Sequence, residues 1–539
     1  MELSEATKGL ILQYSISSQQ DFPDLKQQTI HVDEVASRVA AFYEQIRTII
    51  DWKEEHLMRR AAIIRKIKRR FFDLEINNFS TQNDFAESLI LELIRGGHFP
   101  NDKIKEIKIT EVQKIIDKYI FILKNYPQKQ EAGNGLDFYN WMLEVLSCEI
   151  EESLNPSVRE RALIDYMFKS MKEKIKVSEN IYSFSLLKKE KTNTQIYIAV
   201  QQSLFKLDKP IISYNLITHQ YPEWKNADEK LLLQFSKIIF ETWQDIEKNL
   251  ANPIAKKFYA ICEKYDTPYL LLGDILAEKN IQAGTEILNP EKLESLIRTA
   301  YSRRLSTLKE RIKRAAIYST VSIFVTKILS LFLLEVLLAK IMPGENQSTI
   351  MFMVDILVPT LLMFLIVFSI KMPSEKNLNI AIMEIIKIVY NRETPDIYEV
   401  KIRPKKGVIT RSIISLVYAI SSVLSFGAIY YAFSYFGFPI SSIFINIIFI
   451  ALILFAGTAI AKRAEELTIE DEKEGFISFL ADVFLLPVQG LGKWLSSKWK
   501  KYNAIAAFFN ALIDMPFSVF VEFLEKWRYF IKDKKEEIR

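Results

Sequence analysis

The chain has 539 residues, 49 % hydrophobic and 25 % charged, with a net charge of +5. That length holds roughly two to four domains, and the small charge does not imply a nucleic-acid partner on its own. Mean hydropathy is only +0.05, so the apolar residues must be concentrated somewhere, and they lie after position 315. Few glycines (15) and prolines (17) argue against a loop-rich all-β or disordered chain. Cys148 and Cys262 lie far apart with no CxxC, so two reduced thiols are expected rather than a disulfide framework.

In chain order, "MELSEATKGLILQYS" lacks a basic segment followed by an apolar one, and no cleaved signal peptide is expected. Residues 33–72 place apolar side chains at three- and four-residue spacing, with Asp33 able to cap the start of a helix. Within that stretch "RRAAIIRKIKRR" carries Arg59, Arg60, Arg65, Lys66, Lys68, Arg69 and Arg70, with Ile63, Ile64, Ile67 and Phe71 along one helical face. A basic amphipathic helix of this kind suits anionic lipid or an acidic partner; its bland alternative is a solvated face opposite a packed one. Nucleic acid would need a wider basic surface and readout residues, which are not identifiable.

Further helices are expected near 82–95, 110–124, 136–150, 156–174, 227–249, 254–265, 268–279 and 290–314. Thr267-Pro268 reads as a helix start, with Thr as cap and Pro at the first helical position. The last helix is expected to run into the first membrane span with little break. Strand signals are thin: "IYSFSLL" and "QIYIAV" suggest a hairpin, and "IYEVKI" alternates. The polar stretch "NYPQKQEAGNG" at 125–135 is the best internal boundary.

Four stretches are long and apolar enough to span a bilayer, near 316–341, 349–370, 412–436 and 440–461. The basic flanks, from "SRRLSTLKERIKR" before the first to Lys462 and Arg463 after the fourth, all fall on one side. The positive-inside rule then places both termini in the cytoplasm. The tail segments 476–492 and 503–524 are apolar but interrupted by Asp482, Pro487, Asp514 and Pro516, and "KWLSSKWKKY" joins them. Spanning as a hairpin would put those lysines outside. Interfacial helices anchored by Trp494, Lys498, Trp499, Lys500, Lys501 and Trp527 fit the charge better.

The ionisable residues Lys327, Glu335 and Asp355 fall inside the apolar spans. Charges at such depth usually face a bundle interior or a cavity. They form either an ion or proton site or an interhelical clamp. Counting from the outer ends, Glu335 and Asp355 lie about six residues deep, and Lys327 lies roughly 12 Å lower on its helix. Its long side chain can lean toward the carboxylates.

His31, His56, His98 and His219 show no ligand spacing, so no metal or other cofactor is indicated. "GLGK" at 490–493 lacks the remaining residues of a phosphate loop, and no catalytic motif appears. Glu54, Glu55, Glu149, Glu151 and Glu152 read as helix-surface charge.

The expected fold is mainly all-α: helical cytoplasmic subdomains at 1–127 and 128–314, a four-helix transmembrane domain at 315–462 with an inner loop at 371–411, and an amphipathic tail at 463–539. The expected role is a multi-pass membrane scaffold or adaptor that presents its helical domain to protein partners or to a second copy of itself. One alternative is an ion or small-solute transporter using Lys327, Glu335 and Asp355. Another is a membrane-bound lipid-processing enzyme, for which no motif speaks.

Overall fold

The computed structural model describes residues 2–20, 28–32, 59–68, 85–127, 135–279, 286–332, 349–390, 396–401, 407–469, 476–501 and five single positions between 523 and 534. It is almost wholly helical. The chain divides into two compact units. One is formed by 1–4, 264–393 and 402–504, the other by 5–263, 394–401 and 505–539.

The helices of the second unit are α1 (Glu5–Gln20), α2 (59–68), α3 (Phe85–Arg95), α4 (Ile107–Asn125), α5 (Gly135–Leu154) and α6 (Val158–Lys174). After strand β1 (Ile175–Val177) come α7 (Glu179–Ser183), α8 (Thr192–Phe205), α9 (Lys209–Gln220), α10 (Glu229–Leu250) and α11 (Ala255–Lys264). Helix α10 shows how sequence sets a boundary: Asp228 accepts a hydrogen bond from the Leu231 backbone N–H at 2.9 Å. That satisfies one of the amides left open at a helix start. The apolar face of α10 buries Phe235, Ile239, Trp243 and Ile246, at the three- and four-residue spacing of an amphipathic helix. Phe138, Trp141, Phe240 and Trp243 form one aromatic cluster between α5 and α10.

One expectation needs correction here. The hairpin of "IYSFSLL" and "QIYIAV" does not form; these residues lie in and around α7 and in α8. Helix α8 is buried on every side from Gln195 to Gln201, so its β-rich composition reflects a fully enclosed helix. Packing overrides propensity where no face meets water. Helices α4 and α5, on the two sides of the polar stretch 125–135, pack against each other. The "IYEVKI" segment does supply a strand, β2 (Tyr398–Val400), within the second unit. It pairs in parallel with β1, Ile175 opposite Tyr398 and Val177 opposite Val400.

The first unit contains α12 (Asp266–Lys279), α13 (Pro290–Ser330), α14 (Thr349–Phe368), α15 (Glu375–Tyr390), α16 (Val408–Tyr435), α17 (Ile440–Ala464) and α18 (Phe476–Lys501). Helix α12 begins at Asp266, one residue before Thr267, whose hydroxyl donates to the Glu466 carbonyl at 3.1 Å instead of capping. Helix α13 starts on Asn289, which accepts from Glu291 N–H, with Pro290 at the first position. Its 41 residues run roughly 60 Å. Arg304 and Arg303 bind Asp274 and Glu278 on α12.

Among the described residues three helices, not four, are long and apolar enough to cross a membrane: Met351–Phe368, Val408–Tyr435 and Ile440–Leu467. The expected first span, 316–341, falls partly outside the described residues. Its described part, 316–332, is helical and carries Lys327. Only 6 % of the apolar window of α16 is buried, so the described residues leave most of its Ile, Leu and Val side chains uncovered. A bilayer is the medium that fits.

Helix α18 packs along α16 and α17. The hydroxyls of Ser421 and Ser425 donate to the carbonyls of Val483 and Phe484 at 2.5 and 2.6 Å. A Cβ on Gly492 would run into the carbonyl of Ala451, so glycine there lets α17 and α18 approach closely. Val488 joins Phe433, Phe438, Ile443, Ile450, Ala451 and Leu454 in a buried cluster. The apolar face that a solitary interfacial helix would turn to lipid is therefore partly covered by protein.

Candidate functional site

A buried polar cluster sits where α13, α14 and α17 meet. Lys327 on α13 and Asp355 on α14 are 0 % and 1 % exposed, and Lys327 Nζ lies 2.8 Å from Asp355 Oδ2. Asn446 on α17 is also fully buried. Its Nδ2 donates to Asp355 Oδ1 at 2.5 Å and to the Ser442 carbonyl at 3.1 Å. The Phe449 ring, one turn along α17, stands 5.0 Å from Lys327 Nζ. One carboxylate oxygen thus accepts a hydrogen bond from Asn446, the other lies against the ammonium as an ion pair, and the ammonium also faces a ring.

The structure brings together two of the three ionisable residues picked out in the sequence, Lys327 and Asp355; Glu335 lies outside the described residues. Asn446 was missed. Its signal was a lone amide in the otherwise apolar run "IFINIIFIALILF". Such a residue in a membrane helix commonly hydrogen-bonds across to a neighbour. The arrangement clamps three helices through charge and hydrogen bonds in a buried site. Each member loses its partner at high cost, because breaking a buried pair strands a charge.

The second unit holds a comparable cluster. Lys118 on α4 donates to Glu149 on α5 and to the Trp224 carbonyl. Tyr119 Oη and Trp224 Nε1 both donate to Glu149 Oε2, at 2.9 and 3.0 Å. Burial lowers the Lys118 pKa, with Glu149 opposing, and burial raises that of Tyr119. Glu149 is therefore not the helix-surface charge that the sequence suggested.

Helix α2 leads into a neighbouring network. Arg60 is buried, 2.9 Å from Asp208 and 3.5 Å from Glu151, with Cys148 Sγ beside it. Arg59 lies 3.5 Å from Glu151 and stands over the Phe99 ring. Lys66 pairs with Glu92 at 2.7 Å, and Lys68 donates to Asn140. Arg65 is half-buried, while Arg69 and Arg70 fall outside the described residues. Much of this helix's charge is thus met by acceptors of the same unit. Burial pushes the Glu151 carboxyl up to about 7, against the pull of Arg60 and Arg59. Burial likewise pushes the Cys148 thiol up to about 12, which keeps it protonated and unreactive.

In the tail, Trp494 and Lys498 are exposed, and the side chains of Trp499, Lys500 and Lys501 lie outside the described residues. Trp527 is exposed and neighbours the rings of Phe523 and Phe530 at 6.0 and 6.1 Å. Among the described residues no group of three His, Cys, Asp or Glu side chains is placed to hold a metal ion. Compared with family models, with curated proteins and with solved structures, the chain matches none.

Proposed function

We propose that the chain is a multi-pass membrane scaffold: its apolar helices anchor it, and its helical second unit, on the cytoplasmic side, binds protein partners. The observation that carries this reading is the closed state of the Lys327–Asp355–Asn446 cluster. Every charge in it is matched and none is exposed. A conduit needs a charged group that exchanges its partner with a passing ion, whereas a clamp needs a satisfied one. The one-sided basic flanks of the apolar helices support this cytoplasmic placement.

The test is reconstitution of the full chain into liposomes under sodium, potassium and proton gradients. The scaffold reading expects no flux above empty vesicles. It also expects that Lys327→Met with Asp355→Leu keeps insertion and fold, since an apolar pair can replace a buried ion pair at little cost. Flux that disappears in a folded Asp355→Asn variant overturns it. That outcome establishes the transporter reading, which one observation favours: Asn446 Oδ1 is buried with no donor beside it among the described residues, a spare acceptor at the ion pair.

A further inference from the structure

A cavity of about 430 Å³ opens between α13 and α14, within the range of ligand pockets. Its walls are apolar, formed by Ala316 and Val321 of α13 and by Phe364 and Phe368 of α14. At one end stand Lys309 and Lys313. The helical repeat explains the layout: Lys309, Lys313, Ala316 and Thr320 follow at three- and four-residue spacing, so one face of α13 changes from basic to apolar along its length. Lys309 to Ala316 spans about 10 Å of axis. The charged run of α13 ends at Arg314, and the next charge is the buried Lys327. The two lysines therefore mark the level of the bilayer surface, and the cavity lies on its hydrocarbon side.

Both ammonium groups are exposed, and among the described residues neither forms an ion pair. Like charges one helical turn apart repel, which an anion between them would relieve. A basic rim one turn from an apolar slot of this depth matches one amphiphile. We propose that the α13–α14 groove binds an anionic glycerophospholipid from the leaflet on the basic side, its phosphate held by Lys309 and Lys313 and one acyl chain lying against Phe364 and Phe368. The site rests on the membrane placement proposed above.

Resistance of the chain to carbonate extraction tests that placement separately. The site itself is tested by native mass spectrometry of the detergent-purified full chain. Phosphatidylglycerol and phosphatidylcholine with identical acyl chains are added together. The expected result is retained phosphatidylglycerol in preference to phosphatidylcholine, falling roughly fivefold for each of Lys309→Gln and Lys313→Gln. Lys309→Arg with Lys313→Arg keeps the preference, and Val321→Trp, which fills the slot, abolishes retention of both lipids. Equal retention of the two lipids, or an undiminished preference in the double glutamine variant, overturns the proposal. So does displacement of phosphatidylglycerol by inorganic phosphate at equal concentration, since the acyl chain would then contribute nothing.

Discussion

Two lysine–carboxylate pairs lie at the centres of the two units, and their surroundings differ. Glu149 receives Lys118 on one oxygen and both Tyr119 and Trp224 on the other, while Lys327 and Asn446 stand at the two oxygens of Asp355. The donors of the second unit come from α4 and from the 3₁₀ turn Pro222–Asn226, so a short irregular segment can supply an indole and a carbonyl to the pair. The described members of the first unit's cluster, Lys327, Asp355 and Asn446, all sit on long helices, whose backbones satisfy their own polar groups. The Glu149 carboxylate is thus a hub that gathers side chains from a helix and from a turn, whereas Asp355 ties one long helix to another.

The largest effect that would break this comparison is at Glu149. Glu149→Leu strands Lys118 and leaves two buried donors unmet, and should cost about 3–5 kcal/mol in chemical denaturation of the full chain. A smaller cost would mean that the hub relaxes or hydrates. At the contact of α17 with α18, Gly492→Val forces a side chain onto the Ala451 carbonyl and should cost about 1–3 kcal/mol of thermal stability in detergent. No change would show that α18 is not held against α17.

A subtler signal comes from Glu151. Its carboxyl titrates near 7 in the fold and near 4.5 in the unfolded chain. Between those values the folded form holds the extra proton, so stability falls as pH rises. The contribution is present in full below about 4.5 and is lost by about 7. Glu151→Gln should flatten that slope in a series of urea midpoints; an unchanged slope would assign it to another group. Smallest of all is the double change Lys327→Met with Asp355→Leu, expected to stay within about 1 kcal/mol of the parent. The matching change Lys118→Met with Glu149→Leu should cost more, because Tyr119 and Trp224 lose their acceptor.

Patterns along one element were legible in the sequence. The periodicity of 229–250 and 85–95 gave their helices, and hydropathy gave α14, α16 and α17. The reach of Lys327 toward a carboxylate was legible as well, since a charge in an apolar span has few places to go. What the sequence concealed depends on encounters between elements distant in the chain. Glu149 beside Glu151 and Glu152 looks like a charged surface, and only the arrival of Lys118 and Trp224 from other segments makes it a buried centre. Helix α8 has no dry face and wet face, so periodicity had nothing to detect. The position of α18 turns on two serine hydroxyls and one glycine, which carry no hydropathy signal.

The pairing of β1 with β2 orders events during synthesis. Residues 175–177 leave the ribosome more than two hundred residues before 398–400, and α13 and α14 are translated in between. The edge of β1 therefore stays without this partner while those helices are being made. The second unit closes its last backbone ladder only afterwards. Completion of the helical domain is in this way timed by synthesis of the intervening segment, and a chain arrested before residue 398 would leave the 175–177 strand without its partner.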